Sequence, residues 1–496
     1  MLAVPDALNM LALQRVAEEI PRGAELWSTR SGWRASAVAG ALRRPVHSFA
    51  GGRLARMAAR TGHYAGLFRR FSAAQLREIV LDKYDSSYRL RSRFAAKNQT
   101  CPDPVVLLPS AYSNVSRMAA DFARLLPQQP FLMVATRRSA KQFTPPSNVQ
   151  VRDLAAYAEG DFPRAEISSL VERWTKLKAE FSQSPELRAL LQAGVLDSVR
   201  GWLRDGLCAR NAWMELLQRE PVCGVLCGDD SNRFTRLPVL LAAKSKIPTV
   251  DFHHGAFDGG YLFKELPCDV YIAKSEMERD YLLRVCHLPD EKVLAAPAAT
   301  RVSMAARRDG SYGRSLILFS EPYEAKDMRA SEVYGELLPR LLRVARQAGR
   351  GLIIKLHPFA SRAQRRKLVR DILGKEDAGR VTVLDGPLSG ELVAQAWCGI
   401  TVESTTVMDC WQSGVCCFLC GWLTFSPFAY LQQYARFGVG EVLEDLGQIA
   451  EIPARVASFY DRPSPPPMFT TAADPNLLRQ WLTSRVPEPF GARSAL

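Results

Sequence analysis

Short apolar runs recur along the chain, and a stretch with helical periodicity separates each run from the next. The run VVLLPS begins at Val105, an amphipathic pattern follows over Ala111–Leu126, and a second run, FLMVAT, begins at Phe131. Strands that alternate with helices in this way pair in parallel, because each helix returns the chain to the side of the sheet where the previous strand began. The pattern therefore predicts an α/β protein built on parallel sheets.

The alternation occurs in two series, and the second starts with the run SLILFSEP. A chain of 496 residues is too long for one core of ordinary size, so two large domains are expected. We predict two facing Rossmann-like domains with a cleft between them, over residues 101–300 and 301–445. Residues 1–100 are predicted to form a helical, basic N-terminal region, and residues 446–496 a C-terminal helical tail.

Polar residues follow several of the predicted strands of the second series. In an open α/β sheet, ligands bind at the carboxyl ends of the strands, so these residues indicate a binding site. The three runs concerned are SLILFSEP, GLIIKLHP and CGITVESTT. The residues at the carboxyl ends of these runs are Glu321, Lys355, His357, Pro358, Glu403, Ser404, Thr405 and Thr406.

Two of these segments have chemistry suited to phosphate. Pro358 disfavours helix at His357, so the imidazole is expected in an extended turn, where it can donate to a phosphate or a leaving-group oxygen. Ser404 and Thr405 lie before a predicted helix, where free amides and hydroxyls bind anions. The plainer alternatives are a polar strand cap for the histidine and ordinary helix N-caps for the serine and threonine.

In the first series, the sequence HHG follows one of the predicted strands. The glycine, Gly255, leaves room for a ligand, and the imidazole of His254 can accept the proton of an attacking hydroxyl. His253 is the alternative to His254. Asp229 and Asp230, which follow the run VCGVLC, are rival general bases, or bind an acceptor, or begin a turn. Because no Asp-x-Asp follows a strand in the setting of a metal–nucleotide site, a metal-independent mechanism is predicted.

The formal net charge is +14, which favours an anionic partner. Basic residues cluster loosely over 43–70, 301–314 and 362–370. Nucleic acid is not expected, because no zinc finger, helix-turn-helix or aromatic-basic RNA motif is present. Phosphorylated substrates and an anionic membrane surface remain, with a merely solvated basic surface as the alternative. No run approaches a bilayer span and the N-terminus is unlike a secretory signal, so we expect a cytoplasmic protein that can lie at the inner face of the cell membrane.

KLHP, the Ser/Thr cluster after it and HHG in the first series together resemble the GT-B superfamily. Within it, the motifs are most similar to those of CDP-glycerol glycerophosphotransferases, HP-motif sialyl- and polysialyltransferases and capsule polysaccharide transferases. A Gln-His-Gly in the glycerophosphotransferases carries a histidine important for catalysis, which implies this role for His254, with His253 in place of the Gln. His-Pro and Ser/Thr motifs contact the nucleotide in HP-motif enzymes. The matching positions here are His357, Pro358, Ser404 and Thr405.

One motif of the sialyltransferases, acidic-acidic-Gly, has no clean match, since Gly228, Asp229 and Asp230 reverse its order. The resemblance implies a glycosyltransferase, or a glycerophosphotransferase-like enzyme, that moves a group from an activated nucleotide donor to a hydroxyl acceptor in bacterial cell-surface polysaccharide biosynthesis. Its expected partners are a nucleotide-sugar donor and a saccharide or lipid-linked acceptor. The donor is a substrate, so no cofactor is expected.

Roles for the individual residues follow from this interpretation. His254 is expected to be the base, with Asp229 or Asp230 in reserve, and His357 is expected to act on the leaving nucleotide. The predicted donor-binding residues are Lys355, His357, Pro358, Glu403, Ser404, Thr405, Thr406, Gly255 and Glu321. Two alternatives stay open. One is a nucleotide-sugar 2-epimerase, whose His-Glu-Ala-Gly segment would fall at His254–Ala256, and the other is a non-catalytic GT-B-fold binding or scaffold protein.

Overall fold

The structure is a computed structural model of the chain, and it describes residues 26–28, 46–48, 77, 80–81, 85, 87–95, 99–158, 163–181, 183, 188, 191, 196, 199–230, 232, 234–253, 266–295, 313–323, 329–357, 360–386, 388–423, 430–461 and 475–483. The chain divides into two compact units, residues 1–251, 263–269 and 479–496 in the first and residues 252–262 and 270–478 in the second. No helix in the described part of the chain combines the length and the apolarity needed to cross a bilayer.

Two three-residue strands, β1 (Leu26–Ser28) and β2 (Val46–Ser48), pair in parallel near the N-terminus. The sequence shows no strand pattern there, because three residues are too few to establish a period of two. Most of the region 1–100, which is predicted to be helical, lies outside the described residues. The predicted domain boundary at residue 300 also lies outside them.

The first large sheet has seven strands. They are β3 (Val105–Ser110), β4 (Phe131–Ala135), β5 (Val149–Asp153), β6 (Val222–Cys227), β7 (Thr249–Asp251), β8 (Val270–Ala273) and β9 (Val293–Ala295). Their order across the sheet is β5-β4-β3-β6-β7-β8-β9, so the direction of winding reverses between β3 and β6. All six residues of β3 are buried, as expected for a central strand covered on both faces.

The helices that accompany this sheet in sequence are α1 (Ser113–Leu125), α2 (Arg164–Phe181), α3 (Val199–Arg219), α4 (Arg236–Lys244) and α5 (Glu276–Asp280). The pattern of α1 explains its position, since it buries the apolar side chains of Val115, Met118 and Phe122 on one face. Strand β5 is not evident from the sequence, because Arg152 and Asp153 interrupt its apolar pattern.

The second sheet has six strands. They are β10 (Ser315–Phe319), β11 (Gly351–Lys355), β12 (Val381–Leu384), β13 (Ala396–Thr401), β14 (Cys417–Cys420) and β15 (Glu441–Leu443). The order is β12-β11-β10-β13-β14-β15, and every pairing between these strands is parallel. The direction of winding reverses between β10 and β13. This order matches the arrangement of a Rossmann sheet.

The helices of this region are α6 (Ala330–Gln347), α7 (Arg362–Ala378), α8 (Gly390–Ala394), α9 (Thr406–Gln412), α10 (Tyr430–Arg436), α11 (Ile452–Asp461) and α12 (Pro475–Thr483). One sequence prediction is wrong in detail. The pattern predicts helix over Glu391–Trp397, but Trp397 belongs to β13, where it is buried below the guanidinium of Arg350. Pairing with β10 starts at Ala396 and overrides the helical pattern.

The predicted fold class is confirmed, because the described residues form two α/β arrangements, each with a parallel sheet of Rossmann-like order. The second of them has a continuous core. In that core, β10, β11 and β13 contribute Leu318, Ile354 and Ile400, and α6 contributes Leu337 and Leu341. All five side chains are fully buried, so the strand ends of this sheet stand on a rigid base.

Helix α12 packs against β6, and one glycine makes that contact possible. A Cβ atom at Gly224 would lie 2.3 Å from the carbonyl oxygen of Leu482. We therefore expect Gly224→Ala to lower the free energy of unfolding by about 1–3 kcal/mol in urea denaturation. The matched variant Gly335→Ala, on α6, meets no atom within 4 Å and is expected to raise it by about 0.5–1 kcal/mol. Equal effects would contradict this packing.

Candidate functional site

The carboxyl ends of β10, β11 and β13 lie side by side, because β10 pairs with both other strands. The order of the sheet reverses between β10 and β13, which is the position where open α/β sheets bind ligands. The backbone amide of Ser320 donates to the carbonyl oxygen of Lys355, at 2.9 Å. The structure therefore brings together, at one sheet edge, the residues that follow three of the runs singled out in the sequence.

Glu321 connects the end of β10 to the end of β13. Its Oε1 atom accepts hydrogen bonds from the Thr401 hydroxyl at 2.9 Å, the Val402 amide at 3.0 Å and the Glu403 amide at 2.8 Å. The Glu321 side chain is buried. Burial and the nearby charge of Glu321 raise the pKa of the Tyr323 hydroxyl well above its ordinary value of 10.0. Glu321 thus fixes the turn in which Glu403 lies.

Lys355 and His357 differ in their surroundings. Lys355 is buried, and its ammonium donates to the carbonyl oxygens of Leu356 at 3.0 Å and Gly386 at 2.6 Å. Gly386 adopts a φ of 88°, which a side chain would disfavour. His357 is partly exposed, and its carbonyl oxygen accepts from the amide of Ala360 at 2.9 Å. The lysine therefore holds the end of β11 against the segment after β12, next to the histidine.

The Ser/Thr cluster forms the turn into α9. The Thr406 amide donates to the Ser404 hydroxyl at 3.3 Å, and the Val407 amide donates to the Ser404 carbonyl oxygen at 3.1 Å. The Thr405 side chain makes no capping hydrogen bond. The Thr406 hydroxyl is buried and has no partner among the described residues. Hydroxyl groups are thus available at this end of β13.

In the first sheet, Asp229 and Asp230 follow β6, beside the reversal of strand order between β3 and β6. Both are buried, and their carbonyl oxygens accept hydrogen bonds from the side chains of Thr235 and Arg236, respectively. Burial, together with the charges of Asp251 and Asp230, raises the pKa of the Cys227 thiol. Asp251, whose register partner in β6 is Cys227, is a further buried acidic residue in this part of the sheet, and the sequence pattern did not single it out.

One arginine makes cation–π contacts with two aromatic rings at the same edge of the first sheet. The Arg137 guanidinium, after β4, is 5.7 Å from the ring centroid of Tyr112 and 6.0 Å from that of Phe234. Tyr112 follows β3, and Phe234 lies two residues before α4. The cation–π contacts hold three strand-end loops together.

The first residue of the HHG segment has an unusual backbone conformation. His253 has a φ of 30°, is buried, and its carbonyl oxygen accepts a hydrogen bond from the Lys274 ammonium. Lys274 also pairs with the buried carboxylate of Glu278, at 3.1 Å. The Glu278 amide donates to the hydroxyl of Ser275, which caps α5. A buried ion pair therefore fixes the backbone at the residue before His254.

Three of the predicted site residues, His254, Gly255 and Pro358, lie outside the described residues. Of the others, Glu321, Lys355, His357, Glu403, Ser404, Thr405 and Thr406 share the carboxyl edge of the second sheet, and Asp229 and Asp230 lie at that of the first. The described part of the chain contains no group of three or more His, Cys, Asp or Glu residues placed to hold a metal ion. The chemical roles of all these residues stay predictions.

No family model matches the sequence, and no curated protein matches it. Among solved structures, the chain is similar to UDP-GlcNAc 2-epimerase from Neisseria meningitidis, with TM-score 0.48 and 11% identity over 77% of this chain and 100% of that one. It is also similar to a glycosyltransferase from Rickettsia africae, with TM-score 0.43 and 8% identity over 78% and 95% of the two chains. The wall teichoic acid polymerase TagF gives TM-score 0.40 and 10% identity over 84% and 100%.

Sequence reasoning missed Lys274 and Glu278, although a signal was present. The run VYIA ends in Lys274 and Ser275, so the rule applied to the other strand ends covers it as well. Ser275 followed three residues later by Glu278 is also the pattern of a capping box. The Arg137 contacts had no comparable signal, because Tyr112 and Phe234 are distant from Arg137 in sequence.

Proposed function

We propose that the chain is a nucleotide-dependent transferase that moves a sugar or a glycerol-phosphate-like group to a hydroxyl acceptor in bacterial cell-surface polysaccharide synthesis. The observation that carries the proposal is the Glu321 carboxylate, which orders the turn after β13. Only β10 separates that turn from the end of β11. That turn and strand end present hydroxyls and an imidazole, the donor groups that a departing phosphate needs. The motifs KLHP and HHG support the same class.

In the proposed reaction, the acceptor hydroxyl oxygen attacks the donor's reacting carbon or phosphorus, and the bond to the nucleotide's phosphate oxygen breaks. His254 accepts the hydroxyl proton. The electron pair of the broken bond passes to the leaving phosphate, whose growing negative charge is stabilised by hydrogen bonds from His357 and from Ser404 and Thr405. The acceptor thus becomes the glycosylated or glycerophosphorylated product, and the donor is released as the free nucleotide.

Lys355 and Glu321 have supporting roles in this proposal. The Lys355 ammonium already donates to two carbonyl oxygens, and the Glu321 oxygen already accepts from three donors. We therefore propose that both position the groups that touch the nucleotide. Lys355 adds a buried positive charge near the phosphates, which strengthens their binding where water is excluded.

Nucleotide binding tests the proposal directly. The purified protein is screened for thermal stabilisation by CDP, CMP, UDP, GDP and their sugars, because a ligand that binds only the native state raises its stability, by about 2.7 kcal/mol at 100 times the Kd. We expect one nucleotide to stabilise the protein, and His357→Asn to weaken its affinity about tenfold, since a charge-assisted hydrogen bond is worth about 1.5–3 kcal/mol.

His287→Asn is the matched control. It also removes an imidazole, at an exposed position with a φ of 55°, a conformation that asparagine tolerates. The control is expected to bind nucleotide as the unmodified chain does. Equal affinity in His357→Asn and His287→Asn would remove His357 from the site. Stabilisation by none of the nucleotides would contradict the transferase itself, and conversion of a nucleotide sugar without acceptor would favour an epimerase.

A further inference from the structure

Helix α7 begins with an unusual concentration of positive charge. Five of its first nine residues are basic, and the first acidic residue is Asp371. Two of the five contact other residues of α6 or α7, since Arg365 is buried with its guanidinium 5.7 Å from the ring centroid of Tyr334, and the Lys367 ammonium pairs with Asp371 at 2.6 Å. The remaining three are Arg362, Arg366 and Arg370.

These three arginines form one exposed row, here named the α7 stripe. They are spaced four residues apart, which places them on one face of the helix, with a rise of about 6 Å between successive members. Arg362 approaches Asp385 at 3.4 Å, and both side chains are about half exposed. Arg366 and Arg370 are exposed and form no ion pair with any described residue.

Arg362, the first member of the stripe, does not serve helix stability. The amino end of a helix carries partial positive charge, so a cation in the first turn is unfavourable. The first turn of α7 contains no acidic residue to offset that charge, and the helix is interrupted at Gly374, which has a φ of 78°. The charge of Arg362 at this end therefore indicates a function other than helix stabilisation.

We propose that the α7 stripe binds an acidic polysaccharide or polyol-phosphate chain, the growing acceptor of the reaction proposed above, on which this inference rests. Arginine binds carboxylate and phosphate through paired N–H groups, and a row of guanidiniums about 6 Å apart suits a chain with one anion in each repeat. The outer face of the helix exposes no large apolar side chain, so it lacks the group that inserts into a bilayer. Helix α7 begins soon after His357, close to the predicted donor site.

The test compares two double variants that each remove two positive charges. Arg366→Gln with Arg370→Gln changes the stripe, and Arg343→Gln with Lys375→Gln changes exposed cations on α6 and at the far end of α7. The probes are labelled polygalacturonate and poly(glycerol phosphate), with neutral dextran as the blank. We expect the stripe variant to bind one or both acidic polymers about five- to tenfold more weakly, and the control to change binding by about twofold or less.

Three outcomes would overturn the proposal. The first is equal polymer affinity in both double variants, and the second is dextran binding as tight as that of the acidic polymers. The third is stripe-dependent binding of phosphatidylglycerol vesicles, or of single-stranded DNA, without binding of the acidic polymers. The nucleotide screen on the same proteins separates this proposal from the proposed function. Nucleotide stabilisation with unchanged polymer binding would refute the stripe alone, and no stabilisation in any protein would refute the transferase. A cooperative thermal transition would show that the stripe variant is folded.

Discussion

Glu220→Ala is expected to lower the free energy of unfolding by about 3–5 kcal/mol, the loss typical when one member of a buried ion pair is removed. Glu220 Oε1 lies 2.6 Å from the Arg152 guanidinium, and the two side chains are 0% and 2% exposed. Tyr157 donates its hydroxyl to the same oxygen at 2.9 Å, and the Cys101 amide donates to the other oxygen, at 2.9 Å. Without Glu220, the arginine keeps its charge in a buried site.

The pH dependence of this effect follows from the pKa of Glu220. Burial, the largest influence, raises that pKa, but the Cys101 amide, the Tyr157 hydroxyl and the Arg152 charge outweigh it, so the folded-state pKa is below the ordinary value of 4.5. A depressed pKa means that the stabilisation is complete above the unfolded value and is lost as the pH falls through the folded value. We expect the difference between Glu220→Ala and the unmodified chain in urea denaturation to narrow in acid.

Two further variants make this prediction specific. Glu172→Ala removes an exposed carboxylate that pairs with Lys176 at 3.0 Å on α2, and it should change stability by less than about 0.5 kcal/mol. The double variant Arg152→Met with Glu220→Leu removes both charges and should recover most of the loss, since apolar residues replace a buried pair at little cost. A loss in Glu220→Ala no larger than that in Glu172→Ala would contradict the assigned network.

The sequence was sufficient to predict the fold class because its signals are local. Strands β10, β11 and β13 are apolar runs that polar residues follow, and their ends were identified in this way. The boundaries of helices and strands could not be predicted where strand pairing overrides the local sequence pattern, as it does at Trp397. Strand β15, with only three residues, and β5, with charged residues in its pattern, gave no usable signal.

The candidate site was predictable in location but not in its internal connections. Sequence reasoning placed Glu321 among the donor-binding residues, but it could not show that the carboxylate accepts from Thr401 and the amides after it, which lie about 80 residues further along the chain. The partnership of Arg152 with Glu220 spans 68 residues, and it too depends on how the chain folds. Spacing along a sequence carries no record of such contacts.

Glu321→Ala is expected to lower the free energy of unfolding by about 3 kcal/mol and the affinity for the donor nucleotide by about 100-fold. The stability loss reflects the Val402 and Glu403 amides left without this acceptor, at about 1–3 kcal/mol each before water or small shifts compensate. The Thr401 hydroxyl can still donate to the carbonyl oxygen of Phe319, at 3.2 Å. The affinity loss reflects the released turn, because a displacement of about 1 Å in groups that hold a substrate can cost two orders of magnitude. Urea denaturation and titration with the nucleotide found in the screen measure the two quantities.

Two comparison variants separate positioning by Glu321 from competition with the nucleotide. Glu321→Gln keeps an oxygen acceptor but loses the charge, so it should retain the turn and lose about 1 kcal/mol of stability. Glu332→Ala removes an exposed carboxylate on α6, 3.5 Å from Arg329, and should leave both quantities unchanged. If Glu321 instead withholds the Val402 and Glu403 amides from phosphate, Glu321→Ala would bind nucleotide more tightly than the unmodified chain, and the positioning role would be refuted.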